Sequence, residues 1–374
     1  MFQTITIIGL GLIGGSLCKA VRRVFPNTTL IGVDNSNIEE AREHLGLEHV
    51  FASHDVKAAC SAADLVVLAT PVQAALGLME EVAQATKSGT IISDVCSLKR
   101  EIMQKAELLF TGENGIFIGG HPMAGAETAG FQSSTPFLFE NAIHVLTPTR
   151  ACSEKEIVRV GDFFIALGAH CVKLDAISHD HIAATVSHLP QLLAVSLMLH
   201  VSKKHEENPL YMKMAAGGFR DMTRIASSPF TIWRDICAGN KEIIAAEIDA
   251  FIEGLQDTKK SLLQDNLQVD FEKSAKNRLS IPKDTRGFLK PHFDLAIEVE
   301  DKPGVIARLA NILAEQDINI KSIEILKVRE NEGGTIRMAF EELSELTSAK
   351  KLLEQTGHRC WDKNHHLPAN KSTK

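Results

Sequence analysis

From residue 4 to about 175, short β-branched runs alternate with stretches whose apolar positions recur at helical spacing, the pattern of β-α units that build a parallel sheet. The spacing predicts strands at Thr4–Ile8, Thr28–Val33, Leu65–Thr70, Thr90–Asp94, Ile116–Gly120, Ala142–Thr147 and Cys171–Leu174. Helices start near Gly11, Ser36, Pro71, Leu98 and Ser153, with Ser36 and Ser153 placed as N-caps. After Asp175 the strand-like runs stop. Residues 176–206 and 229–265 read instead as two long helices, the second with an apolar stripe from Ile243 through Ile248, Phe251 and Leu255 to Leu263. Helices of that length need a surface to pack on, either a second subunit or the rest of the chain. A polar, Pro-punctuated linker follows from Arg278 to Pro291. Residues 292–361 then read as β-α-β-β-α-β, a ferredoxin-like module, and 362–374 as a polar tail. The expected organisation is therefore 1–175 (α/β, doubly wound parallel sheet), 176–277 (all-helical), 278–291 (linker), 292–361 (small module) and 362–374 (tail).

Length agrees with several domains, since 374 residues exceed what one core usually serves. Hydrophobic residues at 44% suffice for packed cores. The net charge of −7 is spread without long runs of one sign, which argues against a nucleic-acid footprint or a polybasic membrane surface. No stretch offers about 18 uninterrupted apolar residues, so no membrane partner is expected. Seven scattered cysteines, with no C-x-x-C pair, fit a reducing cytoplasm.

Gly9-Leu10-Gly11-Leu12-Ile13-Gly14 follows a strand and opens a helix, and Asp34 lies 20 residues beyond Gly14 at the end of the second strand. Gly9 permits the tight turn, Gly11 lets backbone approach a pyrophosphate at the helix N-terminus, and Gly14 lets helix and strand pack closely. Asp34 accepts from ribose hydroxyls and repels a 2′-phosphate, so the expected cofactor is NAD in a Rossmann-type fold. Leu12, Ile13, Thr70 and Pro71 complete the expected cofactor contacts. Two segments fall where a doubly wound sheet places its crevice, Asp94-Val-Cys-Ser97-Leu-Lys99 and Gly119-Gly120-His121-Pro122-Met-Ala-Gly125-Ala-Glu127. His121, one residue past a predicted strand, is suited to take a proton from a hydroxyl while hydride leaves the carbon beneath it. Ser97 is either an N-cap or a substrate contact, or both. Arg220 and Arg224 would share a helix face and suit a carboxylate, unless they only pair with Asp221 and Asp235. His179, His181 and His188 cluster in sequence, but helical spacing does not bring all three together and no Cys or Glu completes a site, so no metal is expected.

Taken in order, GLGLIGGS at 9–16, DVCSLK at 94–99, GGHPMAGAE at 119–127, SHLPQ at 187–191 and GGFRDMTRIA at 217–226 resemble the prephenate/arogenate dehydrogenase family over nearly the whole chain. Asp301-Lys-Pro-Gly304-Val and Ile318-Asn319-Ile320 resemble an ACT domain, the amino-acid-sensing module that some members append. The resemblance implies an NAD-dependent oxidative decarboxylation of prephenate in tyrosine biosynthesis, a helical dimerisation domain and hence a homodimer. It also implies roles. His121 would pull on the ring hydroxyl, Ser97 would bond the same region, and Arg224 would bind a substrate carboxylate. His188, Gly217, Asp221 and Trp233 would line or brace the pocket, with Glu127 gating or positioning it. Asp301, Gly304 and Asn319 would hold L-tyrosine as effector. Competing readings are an arogenate dehydrogenase, a β-hydroxyacid dehydrogenase, which would want a Lys on the long helix, and a non-catalytic NAD sensor.

Overall fold

The computed structural model describes residues 1–35, 38–125, 130–280, 293–300, 302–329 and 333–362. They fall into two compact units, the first running from Met1 to Arg278 and the second formed by the C-terminal residues.

The first unit is built on an eight-stranded sheet of order β3-β2-β1-β4-β5-β6-β7-β8. Its strands are β1 (Thr4–Ile8), β2 (Thr29–Asp34), β3 (His49–Ala52), β4 (Leu65–Leu68), β5 (Ile91–Asp94), β6 (Ile116–Pro122), β7 (Ile143–Pro148) and β8 (His170–Lys173). Strands buried on both faces carry continuous apolar runs, as Leu65-Val66-Val67-Leu68 does in β4, and helices cover each face with its own core cluster. Chain order reverses between β1 and β4, which opens a crevice at their C-terminal ends. Two features differ from expectation. β3, with the short helix Val56–Cys60 behind it, was not predicted, because four edge residues carry no usable period. The sheet is also not wholly parallel: β7 runs antiparallel to β6, and β8 follows β7.

Beyond Asp175 the chain is helical, but neither long helix is uninterrupted. Ala176–Ala183 passes through a π-helical turn, Ala184–His188, into Leu189–Glu207. Phe230–Gly239 and Lys241–Leu263 meet at Asn240, which is fully buried. Within Ala176–Glu207 an 18-residue window reaches a mean hydropathy of 1.6, so this helix is, by length and composition, able to cross a membrane. Even here no run of about 18 uninterrupted apolar residues occurs, as expected: interspersed Ser, His and Gln residues break it without lowering the window's average below that level. Only 33% of that apolar window is buried within the chain.

The second unit is a four-stranded antiparallel sheet of order β10-β11-β9-β12, from β9 (Phe293–Val299), β10 (Ser322–Arg329), β11 (Gly333–Phe340) and β12 (Cys360–Asp362). Helices Val305–Ala314 and Leu343–Gln355 contribute Leu309, Leu313, Leu346 and Leu353 to its core. Asn319 precedes β10 instead of opening it, because the strand starts at Ser322.

Candidate active site

The glycine turn after β1 is fixed by close approach. Gly9 has φ +95°, and a Cβ there would sit 2.7 Å from the Ala69 carbonyl oxygen; at Gly14 it would sit 1.9 Å from that of Gly9. At Gly11 nothing lies within 4 Å of a Cβ, which leaves the N-terminus of the helix Leu12–Val24 open to an anion. Asp34 closes the turn from β2, one oxygen accepting from the Leu10 N–H at 2.7 Å and the other from the Asn35 N–H at 2.7 Å. Thr70, past the end of β4, rests its methyl near Gly9, and its buried hydroxyl has no partner among the described residues. Pro71 precedes the helix Val72–Ala85. These residues fit a dinucleotide: an open helix N-terminus, an acid at the second strand end and an unpaired hydroxyl at the switch point.

β5 delivers Asp94, which is fully buried. It accepts from the Gly120 N–H at 2.9 Å and the Cys96 N–H at 2.9 Å, and pairs with the equally buried Lys99 ammonium. Ser97 is partly exposed in the loop between them. It does not cap the next helix, which begins at Arg100. The Asp180 carboxylate does so from another element, accepting from the Lys99 N–H at 2.8 Å and the Arg100 N–H at 3.0 Å.

His121 lies within β6, one residue before its end, and not in a turn beyond the strand. Its Nδ1 is 2.7 Å from His179 Nε2, and His179 Nδ1 is 2.7 Å from Asp180 Oδ1. Burial pushes the His121 imidazole well below its ordinary value, and His179, Lys99, His144 and His188 act in the same direction. Burial opposes ionisation of Asp180, but the His179 side chain and the two backbone N–H groups outweigh it and hold the carboxyl below its usual range. His188, at the end of the π turn, is also buried and pushed down to about 4 by burial. Its ring meets Trp233 edge-on at 6.1 Å, and Trp233 packs on the core beneath β4 and β5. Asn240 knits these parts together: its Nδ2 donates to the Asp180 backbone oxygen at 2.8 Å, and its Oδ1 accepts from Arg100 at 3.2 Å.

The structure thus groups His121 with His188, Trp233 and the loop bearing Ser97. Gly217 and Asp221 lie exposed on the short helix Gly217–Thr223. Arg224 is exposed too, but starts a 3-10 turn, so it does not share a helix with Arg220 as the spacing predicted. That turn is tied to the region of His188 by Gln191, which donates to the Ile225 carbonyl at 2.9 Å. Of the clustered histidines, His179 and His188 are buried and His181 is exposed. Glu127 and Asp301 lie outside the described residues. In the small unit, Gly304 takes φ +86° at the cap of Val305–Ala314. It borders a cavity of about 680 Å³ lined by Val299, Lys302, Val305, Ile325 and Ile336, whereas Asn319 is not part of the lining. Asp180 and Asn240 went unrecognised in the sequence, and His179 was weighed only as a metal ligand; no local signal ties them to a histidine 58 residues earlier.

A dinucleotide-type sheet with a buried histidine at a strand end beside its crevice defines the dehydrogenase class. Comparison narrows it. The nucleotide-binding domain of prephenate dehydrogenase matches residues 17–173, its dimerization domain 175–274, and the ACT domain 293–357. Prephenate dehydrogenase of Bacillus subtilis is 34% identical over 95% of this chain and 96% of its own. The cyclohexadienyl dehydrogenase of Zymomonas mobilis is 32% identical over 76% of this chain and 98% of its own. Among solved structures, prephenate dehydrogenase from Aquifex aeolicus in complex with hydroxyphenyl propionate and NAD+ superposes with a TM-score of 0.67 at 28% identity, covering 75% of this chain and 99% of that one. The chain belongs to the prephenate dehydrogenase family.

Proposed function

We propose that this protein is an NAD-dependent prephenate dehydrogenase, converting prephenate to 4-hydroxyphenylpyruvate for tyrosine biosynthesis. The observation that carries the reading is His121, buried at the end of β6 with its Nδ1 held by His179 and its Nε2 without a hydrogen-bond partner among the described residues. Bound NAD supplies the hydride acceptor. The chain's own residues do the rest. The Leu12–Val24 helix N-terminus and Asp34 seat the two ends of the adenosine diphosphate half, and Asp34 disfavours a 2′-phosphate. His121 Nε2 accepts the ring hydroxyl's proton as hydride leaves C4, Ser97 bonds the same oxygen, and Arg224 holds a carboxylate, with His188, Trp233, Gly217 and Asp221 bounding the pocket and Glu127 guarding it. The neutral imidazole maintained by burial is the form required of an acceptor. Loss of the ring carboxylate as carbon dioxide aromatises the ring and drives the reaction.

Three finer points belong to the same proposal. The protein is a homodimer through the helical region, supported by exposed apolar side chains such as Phe251, Ile252, Leu255 and Leu263. It works in the cytoplasm, in keeping with seven unpaired cysteines. L-Tyrosine binds the C-terminal module at the Gly304 turn, where the cavity meets a helix N-terminus. The test is NADH formation with prephenate, arogenate and a 3-hydroxy acid offered in turn, NADP replacing NAD in a parallel series, and millimolar tyrosine added to the full chain and to one truncated after Lys290. Prephenate with NAD should turn over fastest, and tyrosine should slow only the full chain. A preference for arogenate or NADP overturns the substrate or cofactor assignment. Equal tyrosine sensitivity of both chains overturns the sensor.

A further inference from the structure

Each hydrogen bond from Asp180 back to His121 constrains the next. Both carboxylate oxygens of Asp180 already receive donors, Lys99 N–H on Oδ1 and Arg100 N–H and Nε–H on Oδ2, so the group is an acceptor only. His179 Nδ1, 2.7 Å from Oδ1, must therefore carry a hydrogen. In neutral His179 that leaves Nε2 bare, and a bare Nε2 at 2.7 Å from His121 Nδ1 requires the hydrogen to lie on His121. His121 Nε2 is then the lone pair.

We propose that His179 and Asp180 are positioning residues that hold His121 in the Nδ1–H tautomer, so that its Nε2 presents a lone pair to the substrate hydroxyl. The proposal rests on the reading of His121 as the proton acceptor. Alone, a histidine would divide between two tautomers, one of which offers a useless N–H to the hydroxyl. Here an acid two rings away decides, and it is itself fixed by backbone amides, by Arg100 and by Asn240 on its own carbonyl. The line ends there: His179 and Asp180 are 2% and 1% exposed, so it offers the proton no exit to solvent. None is needed. When the hydroxyl O–H breaks, its proton forms an N–H on His121 Nε2; once the ring carboxylate has left as carbon dioxide, its bonding pair aromatises the ring and the phenolate oxygen takes the same proton back. Hydride goes to the nicotinamide, and no proton is gained or lost overall. The imidazolium formed meanwhile can pass its Nδ1 hydrogen to His179 Nε2, which places the cation next to the Asp180 carboxylate.

The test compares His121→Asn, His179→Phe, His179→Gln and the double variant His121→Asn/His179→Phe in the full-length enzyme. His179→Phe should lower kcat by about 10²-fold with KM and NAD dissociation constant changed by no more than about threefold. His179→Gln, which can accept from His121 and donate to Asp180, should recover at least about tenfold of that loss. The double variant should be no slower than His121→Asn alone, since residues that act through one group are not additive. ¹⁵N NMR of histidine-labelled wild type should show His121 protonated at Nδ1 and bare at Nε2. Losses that multiply in the double variant, or an Nε2–H signal on His121, overturn this proposal and leave the acceptor reading standing. An unchanged kcat in His121→Asn overturns the acceptor reading itself.

Discussion

The sheet half and the helical half of the first unit treat apolar surface in opposite ways. Beneath β1 to β7 the chain buries Phe163, Phe164 and Phe117 completely, and the polar groups it takes inside are mostly tied to named partners, as Asp94 is to Lys99 and two backbone amides. Among the described residues of the helical half, Ala184, Ile243 and Ile244 form a small buried cluster of their own, while Phe230, Leu263 and Phe271 stand 70% or more exposed. The difference teaches that one half owns its core while the other leaves apolar side chains open. Exposed apolar side chains on a helix patterned for burial are the mark of a surface suited to association, which is what the homodimer proposal uses.

Four experiments press on that contrast. Phe164→Ala, at a side chain stacked on His144 with 3.6 Å between ring centroids, should cost about 3–5 kcal/mol in chemical denaturation; a loss below 1 kcal/mol would mean the sheet core is looser than its burial indicates. In the helical half, Phe251→Asp with Leu255→Asp should leave the sheet intact but weaken self-association by at least about 30-fold, roughly 2 kcal/mol, read by sedimentation as a shift toward the 40.9 kDa single chain. Wild type sedimenting as a single chain at micromolar concentration would erase the distinction between the halves. Acid should act on both. His144, fully buried, is pushed down to about 3 by burial, then Lys99, and His188 to about 4, so each takes up its proton on unfolding. The unfolded imidazole titrates near 6.5. Their contribution is whole above that pH and is lost as pH falls from there through the folded values, by up to about 1.4 kcal/mol per pH unit for each; His144→Leu should flatten the slope by one such share. The smallest effect is Ser153→Ala, which breaks the capping box with Glu156 at the helix Glu154–Ala166 and should cost about 1 kcal/mol by thermal melting.

How much of this was legible in the sequence follows the range of the signal. Ser153 and Glu156 lie three apart and speak for themselves, as does a glycine motif whose turn leaves no room for a Cβ at Gly9 or Gly14. Ranges beyond one element were less readable. Nothing in Ile143–Pro148 announces that β7 runs antiparallel to β6, because strand direction leaves the period of two unchanged. The break of the second long helix at Asn240 was not read from the sequence, because burial of that residue is a tertiary fact. At the candidate site, His121 was singled out from its expected place at a strand end. The histidine and carboxylate that hold it were not, since they come from an element that meets β6 only after folding.

The carboxylate that caps the helix Arg100–Leu109 stands 80 residues further along the chain, past the point where the hydrophobic pattern changes from sheet to helix. A ribosome making this protein finishes every strand of the first sheet before it adds Asp180. Until then, two backbone amides beside the crevice have no acid to face, and the Ser97 loop lacks its anchor. Cutting the chain at residue 175 would therefore release a domain complete in its strands but without the acid that these amides face and without the partner of the His121 ring.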